Sequence, residues 1–278
     1  MNSLAGFDVK IEFEDFEAIA KFAYDELGLN LGAGKVSLIR SRLRHRLGDL
    51  GIASLAEYCD LVGKPENQRE KRYLVSALTT NVSSFFREPH HFDVLARTVW
   101  PNLREKSFNS QIRIWSAGCS YGQEPLSIAM SMLENLPAVA KNKTRITATD
   151  VDFNVVETAK RMDFEEVSTS GLSALRKRRF FNVRQDCTTR AYTARRCLAE
   201  LVKFQEANLL SNAGCVHRQD VIFCRNVMIY FEKDTQGIVL NRLVSCLNPN
   251  GFLFVGHAER ADHPSLRPLG GTAYIKAG

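Results

Sequence analysis

The sequence lacks several features that would place the protein in a specialised class. Its seven cysteines are odd in number and scattered, with no Cys-x-x-Cys pair, which argues against a disulfide framework and a zinc site. No apolar run approaches the roughly 20 residues that span a bilayer, and the amino terminus has neither the basic start nor the apolar stretch of a signal peptide. The six histidines are few and dispersed. We therefore expect a cytoplasmic protein with reduced cysteines, no metal and no membrane insertion.

The composition is that of a globular protein, and its patterning changes near residue 90. Of 278 residues, 45% are hydrophobic and 24% are charged, which fits one or two domains. Helical spacing fills the first part, at 13–27, 35–47, 54–61 and 66–78. Strands then alternate with helices, the strands at 113–116, 145–149, 220–224 and 252–255. This pattern predicts a helical domain over 1–89 and, over 90–278, an α/β domain with a mainly parallel sheet. The pattern weakens between about 176 and 204, which predicts a small insertion.

One predicted helix carries a concentration of positive charge within a chain of net charge +6. Its apolar positions recur at helical spacing: Val36, Ile39, Leu43 and Leu47. Four guanidinium groups flank that stripe: Arg40, Arg42, Arg44 and Arg46. The pattern is typical either of a solvated helix face or of a docking surface for an acidic partner.

Polar and glycine residues follow the predicted strands, where open α/β sheets bind their ligands. Gly118 and Gly122 allow a tight turn and a close approach of backbone to ligand after the first strand. Asp150 ends the second strand, where a carboxylate can accept hydrogen bonds from ribose hydroxyls. A helix cap is the alternative role there, for Asp150 or Asp152. These features favour a nucleoside site.

The third strand also ends in polar residues. The apolar run from Ile222 breaks into Arg225, Asn226 and, further on, Tyr230, and we expect these three side chains to be exposed as the chain leaves the sheet. Such residues pack poorly but suit a ligand.

Five motifs occur in an order that resembles one known family. They lie at 81–92, 115–125, 148–152, 224–231 and 256–259. Together they resemble the CheR family, the chemotaxis receptor glutamate methyltransferases, over nearly the whole chain. The resemblance implies a Rossmann-like class I methyltransferase sheet, an all-helical N-terminal receptor-docking domain and a small β insertion. It also implies S-adenosylmethionine as cofactor and S-adenosylhomocysteine as product.

The resemblance also implies which residues form the site. The cofactor contacts would be Asn81, Ser83, Arg87, Glu124, Asp150, Asn208, Leu209, Asn226 and Val227. Arg87 and Tyr230 would lie closest to methyl transfer, although from residue type alone a surface salt bridge and a core phenol are the expected roles. A glutamate side chain, with a pKa of about 4.3, is already an anion at neutral pH, so the reaction needs no general base.

The implied partner is the cytoplasmic helical bundle of methyl-accepting chemotaxis receptors, engaged by a monomer through Arg40, Arg42, Arg44 and Arg46. On this hypothesis, replacing Arg42 and Arg46 with Glu lowers turnover on receptor and leaves cofactor binding intact. The predicted insertion at 176–204 contains no glycine, whereas family members that bind a receptor tail there tend to carry glycines. The sequence therefore leaves tail binding open.

Other function classes remain open. The net charge permits a nucleic-acid methyltransferase, but the basic helix lacks interleaved aromatic residues for base stacking, and we expect no nucleic-acid partner. A cofactor-sensing adaptor without catalysis is a second alternative, although Arg87 and Tyr230 are both present. A dinucleotide dehydrogenase is disfavoured because the glycine spacing differs from that fingerprint.

Overall fold

The computed structural model describes residues 13–106, 111–136, 144–185, 190–211 and 217–278. The chain forms two compact units. The first, the helical unit, comprises Met1–Thr80 together with Tyr230–Glu232. The second, the sheet unit, comprises Asn81–Ile229 and Lys233–Gly278.

The helical unit contains four α-helices among its described residues, as the sequence predicts. They are α1 Phe13–Leu27, α2 Val36–Leu50, α3 Leu55–Gly63 and α4 Gln68–Leu78. Helix α1 packs on α3, and both α2 and α3 pack on α4. Their buried faces repeat every three or four residues, as in Ile39, Leu43 and Leu47 of α2. Local signals set the ends: the Ser54 hydroxyl accepts the Glu57 N–H at the start of α3, and Gly51 ends α2 at a φ of 66°.

The sheet unit is built on a seven-stranded sheet and a three-stranded sheet. The strands are β1 Ile112–Ala117, β2 Thr144–Asp150, β3 Asp163–Glu165, β4 Phe181–Gln185, β5 Arg190–Ala194, β6 Val202–Glu206, β7 Gln219–Cys224, β8 Leu247–Val255, β9 Leu266–Gly270 and β10 Ala273–Lys276. The large sheet has the order β6-β2-β1-β7-β8-β10-β9. Strands β6, β2, β1, β7 and β8 are parallel, and β10 is antiparallel to both β8 and β9. This confirms the predicted Rossmann-like sheet.

The sheet unit contains seven α-helices among its described residues, and those that follow β1 lie between strands of the sheet, as parallel pairing requires. They are α5 Pro89–Val94, α6 Trp100–Lys106, α7 Gln123–Asn135, α8 Phe153–Arg161, α9 Ala174–Phe180, α10 Arg196–Ala199 and α11 Lys233–Cys246, with a π-helical turn over Leu95–Val99 joining α5 to α6. Strand β7 is buried along its whole length, as expected for a central parallel strand. Phe223 and Phe254 stack with ring centroids 4.4 Å apart inside this core.

The small β insertion is present as the antiparallel sheet β3-β5-β4. Its strands run from Asp163 to Ala194. Val202–Glu206, the end of the stretch where the sequence pattern weakens, is instead the edge strand of the large sheet beside β2. The insertion thus begins earlier in the chain than the loss of pattern indicates.

Two observations bear on the expectations from composition. No helix in the described parts of the chain is long and apolar enough to cross a bilayer. Cys59, Cys119, Cys197 and Cys224 are free, but Cys246 is disulfide-bonded. The expectation of uniformly reduced cysteines is therefore wrong for Cys246, because separation along the chain does not show which thiols the fold brings together.

Candidate active site

The predicted site residues of the sheet unit collect at one edge of the large sheet. Because β1, β2, β6 and β7 are parallel, their carboxyl ends share that edge, and the register pairs Ala117 with Thr149 and Asp150 with Glu206. The residues that follow these strand ends include Glu124, Asp150, Asn208, Leu209, Asn226 and Val227.

The glycine loop after β1 packs directly against the turn after β7. Gly118 has a φ of 82°, and a Cβ placed there would lie 2.3 Å from Val227 Cγ2. Gly122 has a φ of 94°, and a Cβ there would lie 3.0 Å from the Phe204 ring. Both positions therefore require glycine, for backbone conformation and for space.

Asp150 and Asp152 have separate roles at the end of β2. Asp150 is buried and accepts the Ser120 N–H at 2.8 Å and the Asp152 N–H at 3.1 Å, and burial raises its pKa. Asp152 caps α8 by accepting the Asn154 N–H at 2.9 Å. The other oxygen of Asp152 accepts the Asn81 side-chain amide at 2.8 Å. Asp152 therefore has the helix-cap role. Its hydrogen bond to the Asn81 side chain also holds Asn81 near the end of β2.

Arg225 is buried, so the expectation that it is exposed is wrong. Its side chain is 2% exposed, and Nη2 donates to the Arg87 carbonyl. Arg225 Nη1 lies 3.5 Å from Glu124 Oε2, and Nε lies 3.5 Å from Glu88 Oε2. The two carboxylates come from distant parts of the sequence and enclose the guanidinium. The sequence around Arg225 shows only that the strand ends there, and it does not show that the Arg225 side chain is buried.

Glu124 and Arg87 are both linked to this buried guanidinium. Glu124 accepts the Ser116 hydroxyl at 2.7 Å. Burial raises the Glu124 pKa, and Arg225 opposes part of that effect. Arg87 is partly exposed and donates from Nη1 to the Val82 carbonyl at 3.0 Å. Arg225 thereby connects the Arg87 backbone to the Glu124 carboxylate.

A carboxylate with no role assigned from sequence holds the turn after β7. Glu259 is buried and accepts the backbone N–H groups of Asn226 at 2.8 Å, Val227 at 2.9 Å and Ile229 at 3.2 Å. It also accepts the Gly256 N–H. The sequence signal for Glu259 is its place at the end of the 256–259 motif.

Comparison with known proteins identifies the family. Residues 81–272 match the CheR methyltransferase SAM binding domain, and residues 14–79 match the CheR methyltransferase all-alpha domain. The chain belongs to the CheR methyltransferase family. Chemotaxis protein methyltransferase 2 of Pseudomonas aeruginosa is 37% identical over 95% of this chain and 93% of its own length. The chemotaxis protein methyltransferase of Escherichia coli is 35% identical over 91% of this chain and 86% of its own length.

The site fits the adenosyl cofactor of the CheR methyltransferases. Ser120 Oγ and Gln123 Oε1, both on the glycine loop, are buried and have no hydrogen-bond partner among the described residues. Polar atoms at such depth are ordinarily paired, so they suit a polar ligand beside Asp150.

Three further residues that the sequence predicts as cofactor contacts lie in loops of the sheet unit. Asn208 follows β6, accepts the Leu210 N–H on its side-chain oxygen at 2.8 Å, and is half-buried. The Leu209 carbonyl accepts from Arg242 Nη1 at 3.0 Å. Ser83 is half-buried in the loop that Asn81 begins. These contacts locate the three residues, whereas their binding to the cofactor stays a prediction.

Tyr230 has its described contacts within the helical unit. Its carbonyl accepts the Asn30 N–H at 2.9 Å, and Lys35 Nζ lies 4.9 Å from its ring centroid. The phenol is half-buried. Its role in methyl transfer stays a prediction.

The basic helix α2 of this CheR-family chain has two kinds of arginine. Arg42 Nη1 donates to the Ala77 carbonyl at 2.8 Å and to the Thr79 carbonyl at 2.7 Å, at the C-terminal end of α4. Arg46 forms a two-point pair with Glu70. Arg40 and Arg44 are exposed. Arg42 and Arg46 therefore have structural contacts, and replacing them would test more than docking.

One group of potential metal ligands exists among the described residues: Glu88, His90 and His91. Both histidines contact the Gly271 carbonyl, and burial lowers the pKa of His91 to about 4. Arg225 lies 3.5 Å from Glu88. This guanidinium opposes binding of a further cation at Glu88, so the group fits a hydrogen-bonded network better than a metal site.

Proposed function

We propose that this protein transfers the methyl group of S-adenosylmethionine to glutamate side chains of methyl-accepting chemotaxis receptors in the cytoplasm, forming glutamyl methyl esters and S-adenosylhomocysteine. The observation that carries the proposal is the packing of the Gly118 loop against Val227 beside the buried Asp150. It brings together, at one sheet edge, residues from motifs that are far apart in the sequence. The names of the relatives, chemotaxis protein methyltransferases, supply the acceptor class.

The chemistry asks little of the protein beyond binding and alignment. Bound S-adenosylmethionine supplies a methyl group on a positively charged sulfur, and the acceptor glutamate is already a carboxylate near pH 7. Productive geometry is then the main contribution of the site. The reaction therefore needs no general base to activate the acceptor.

Arg87 and Tyr230 have the proposed positioning roles. The Arg87 guanidinium can engage a carboxylate through two parallel hydrogen bonds, either that of the methionine moiety or that of the acceptor. Its backbone is anchored through Arg225, which limits the positions that the guanidinium can reach. The Tyr230 hydroxyl would orient the acceptor oxygen near the sulfur.

The exposed arginines of α2 are the proposed contact with receptor. Arg40 and Arg44 present positive charge on the helical unit, and a glutamate-rich helical bundle would complement it and speed encounter. This arrangement requires no more than a monomer. The proposed receptor contact does not include the β3-β5-β4 sheet.

We predict that Arg40→Glu together with Arg44→Glu lowers kcat/KM for receptor about tenfold at low salt, because electrostatic steering raises association rates. The difference from wild type should shrink as salt rises, since exposed charges are screened over about 8 Å at physiological ionic strength. Cofactor affinity should not change. Lys21→Glu on α1, another exposed cation, is the matched control. Equal turnover of the double variant and wild type at low salt would exclude this face.

Methyl-labelled S-adenosylmethionine tests the proposed reaction. The protein is incubated with receptor-containing membranes, with RNA or with DNA, and mild alkali then releases methanol from any methyl ester. We expect alkali-labile label on receptor that is lost with Arg87→Ala. Label on RNA or DNA would instead support a nucleic-acid methyltransferase. Binding of S-adenosylhomocysteine without label on any acceptor would contradict the proposed acceptor and leave the cofactor site intact.

A further inference from the structure

The turn after β7 depends on a single buried side chain. Glu259 is 5% exposed, and its two oxygens divide four backbone donors between them. Oε2 accepts from Asn226 and Gly256, and Oε1 accepts from Val227 and Ile229. A carboxylate in this position replaces the strand pairing that these N–H groups lose where β7 and β8 end.

The backbone of this turn is also strained and tightly enclosed. Asn226 has a φ of 58°, a left-handed conformation that non-glycine residues adopt uncommonly. A Cβ at Gly256 would lie 2.5 Å from the Asn226 side-chain nitrogen, 2.8 Å from the Asn226 backbone nitrogen and 2.8 Å from Glu259 Oε2. Residues in such conformations persist when their surroundings over-determine them. Glu259 and the bare Gly256 backbone provide that constraint.

The same turn presents the two residues after β7 that the family resemblance assigns to the cofactor, Asn226 and Val227. Val227 also packs on Gly118 of the glycine loop. A shift of the turn would therefore move Asn226 and Val227 and would also disturb the packing of Val227 on the glycine loop.

We propose that Glu259 is a positioning residue that preforms the Asn226–Ile229 turn for the adenosyl cofactor, an inference that rests on the proposed function. Glu259 touches the backbone of the binding residues and not the cofactor. Its contribution is to hold their conformation before the ligand arrives, which lowers the cost of ordering the site on binding.

The test is calorimetric titration of S-adenosylhomocysteine into wild type, Glu259→Gln and Gly256→Ala. In Glu259→Gln an amide NH2 faces one of the two pairs of backbone donors. We expect at least about tenfold weaker binding, equivalent to ~1.4 kcal/mol. Gly256→Ala disturbs the same turn by steric overlap and should weaken binding similarly. Hydrogen exchange of residues 225–231 without ligand should accelerate in both variants.

Asp220→Asn is the matched control, because Asp220 is another buried carboxylate near the opposite end of β7. It accepts the Arg113 N–H at 2.9 Å and the Asn248 amide at 2.7 Å. This variant should lower the melting temperature without altering affinity or exchange at 225–231. Unchanged affinity in Glu259→Gln, with tight binding by wild type, would overturn the inference alone. A wild-type protein that does not bind S-adenosylhomocysteine would instead refute the proposed function.

Discussion

Each of the two units contains an arginine that contacts acidic side chains, and the two clusters differ in how completely their polar atoms are hydrogen-bonded. In the helical unit, Arg46 Nε donates to Glu70 Oε1 at 2.8 Å and Nη2 pairs with the second oxygen. Tyr58 donates to the same carboxylate at 2.6 Å, and the Tyr73 ring lies 5.1 Å from the guanidinium carbon of Arg46.

In the sheet unit, Arg225 spans two carboxylates without ideal contact to either. Glu88 and Glu124 each lie 3.5 Å from it. Arg225 Nε and Glu88 Oε2 are buried and have no hydrogen-bond partner among the described residues. Arg225 also donates to the backbone carbonyl of Arg87, a proposed site residue.

This difference in hydrogen bonding indicates that the Arg46 cluster stabilises the fold of the helical unit, whereas the Arg225 cluster positions residues of the proposed site. A fully paired cluster can be judged by the free energy of unfolding, because every member is satisfied within the folded unit. A cluster with unpaired buried atoms is maintained at some cost in stability, and such costs concentrate at functional sites.

Glu70→Ala should have the largest effect on stability. It leaves the half-buried Arg46 guanidinium and the buried Tyr58 hydroxyl without their shared partner, and losing hydrogen bonds to a charged group costs about 2 kcal/mol. Both tryptophans, Trp100 and Trp115, lie in the sheet unit, so urea unfolding followed by fluorescence reports that unit, while circular dichroism also reports the helices. We expect the dichroism transition to shift to lower urea with little change in fluorescence. Glu26→Ala, which removes an exposed pair with Lys71, should cost less than about 1 kcal/mol.

Arg225→Lys should affect cofactor binding more than stability. The ammonium keeps the charge but does not span Glu88, Glu124 and the Arg87 carbonyl together. We expect S-adenosylhomocysteine to bind about tenfold to a hundredfold more weakly, or ~1.4–2.7 kcal/mol. Arg145→Lys, near the start of β2, should leave affinity unchanged. Equal affinities for all three proteins would show that Arg225 is only structural.

Two carboxylates of these clusters, Glu70 and Glu124, should respond to acid with opposite signs. The hydrogen bond from Arg46 is the largest cause that lowers the pKa of Glu70, so its stabilisation is present above the unfolded pKa and disappears as pH falls through the folded pKa. Burial raises the pKa of Glu124, so protonation on acidification relieves a cost. Unfolding free energies from pH 7 towards about pH 3 should therefore show the advantage of wild type over Glu70→Gln shrinking, with most of the loss at the acid end. Relative to Glu124→Gln, wild type should become more stable over the same range.

The sequence predicts the large elements because each has a local cause. Periodic apolar residues define the four helices of the helical unit, and the apolar runs locate β1, β2 and β7. It misses β6, β9 and β10, which are short or lie at the sheet edge and so carry a weaker apolar pattern.

The site could be predicted only in part, for a related reason. Asp150 and Gly118 lie next to strand ends, where local pattern indicates ligand binding. The burial of Arg225 depends on Glu88 and Glu124, and the role of Glu259 depends on a turn 30 or more residues earlier. Contacts between distant segments leave no local periodicity, so only the folded chain shows them.

Hydrogen exchange across the chain, with and without S-adenosylhomocysteine, tests the central claim most directly. The claim is that the carboxyl edge of the large sheet holds the cofactor and that the Arg46–Glu70 cluster is structural. We predict that the ligand slows exchange in residues 81–87, 117–124, 150–152 and 225–229. Exchange in residues 39–50 and 68–78 should not change. Slowing confined to the helices of the helical unit, or no slowing at the sheet edge under saturating ligand, would contradict the account.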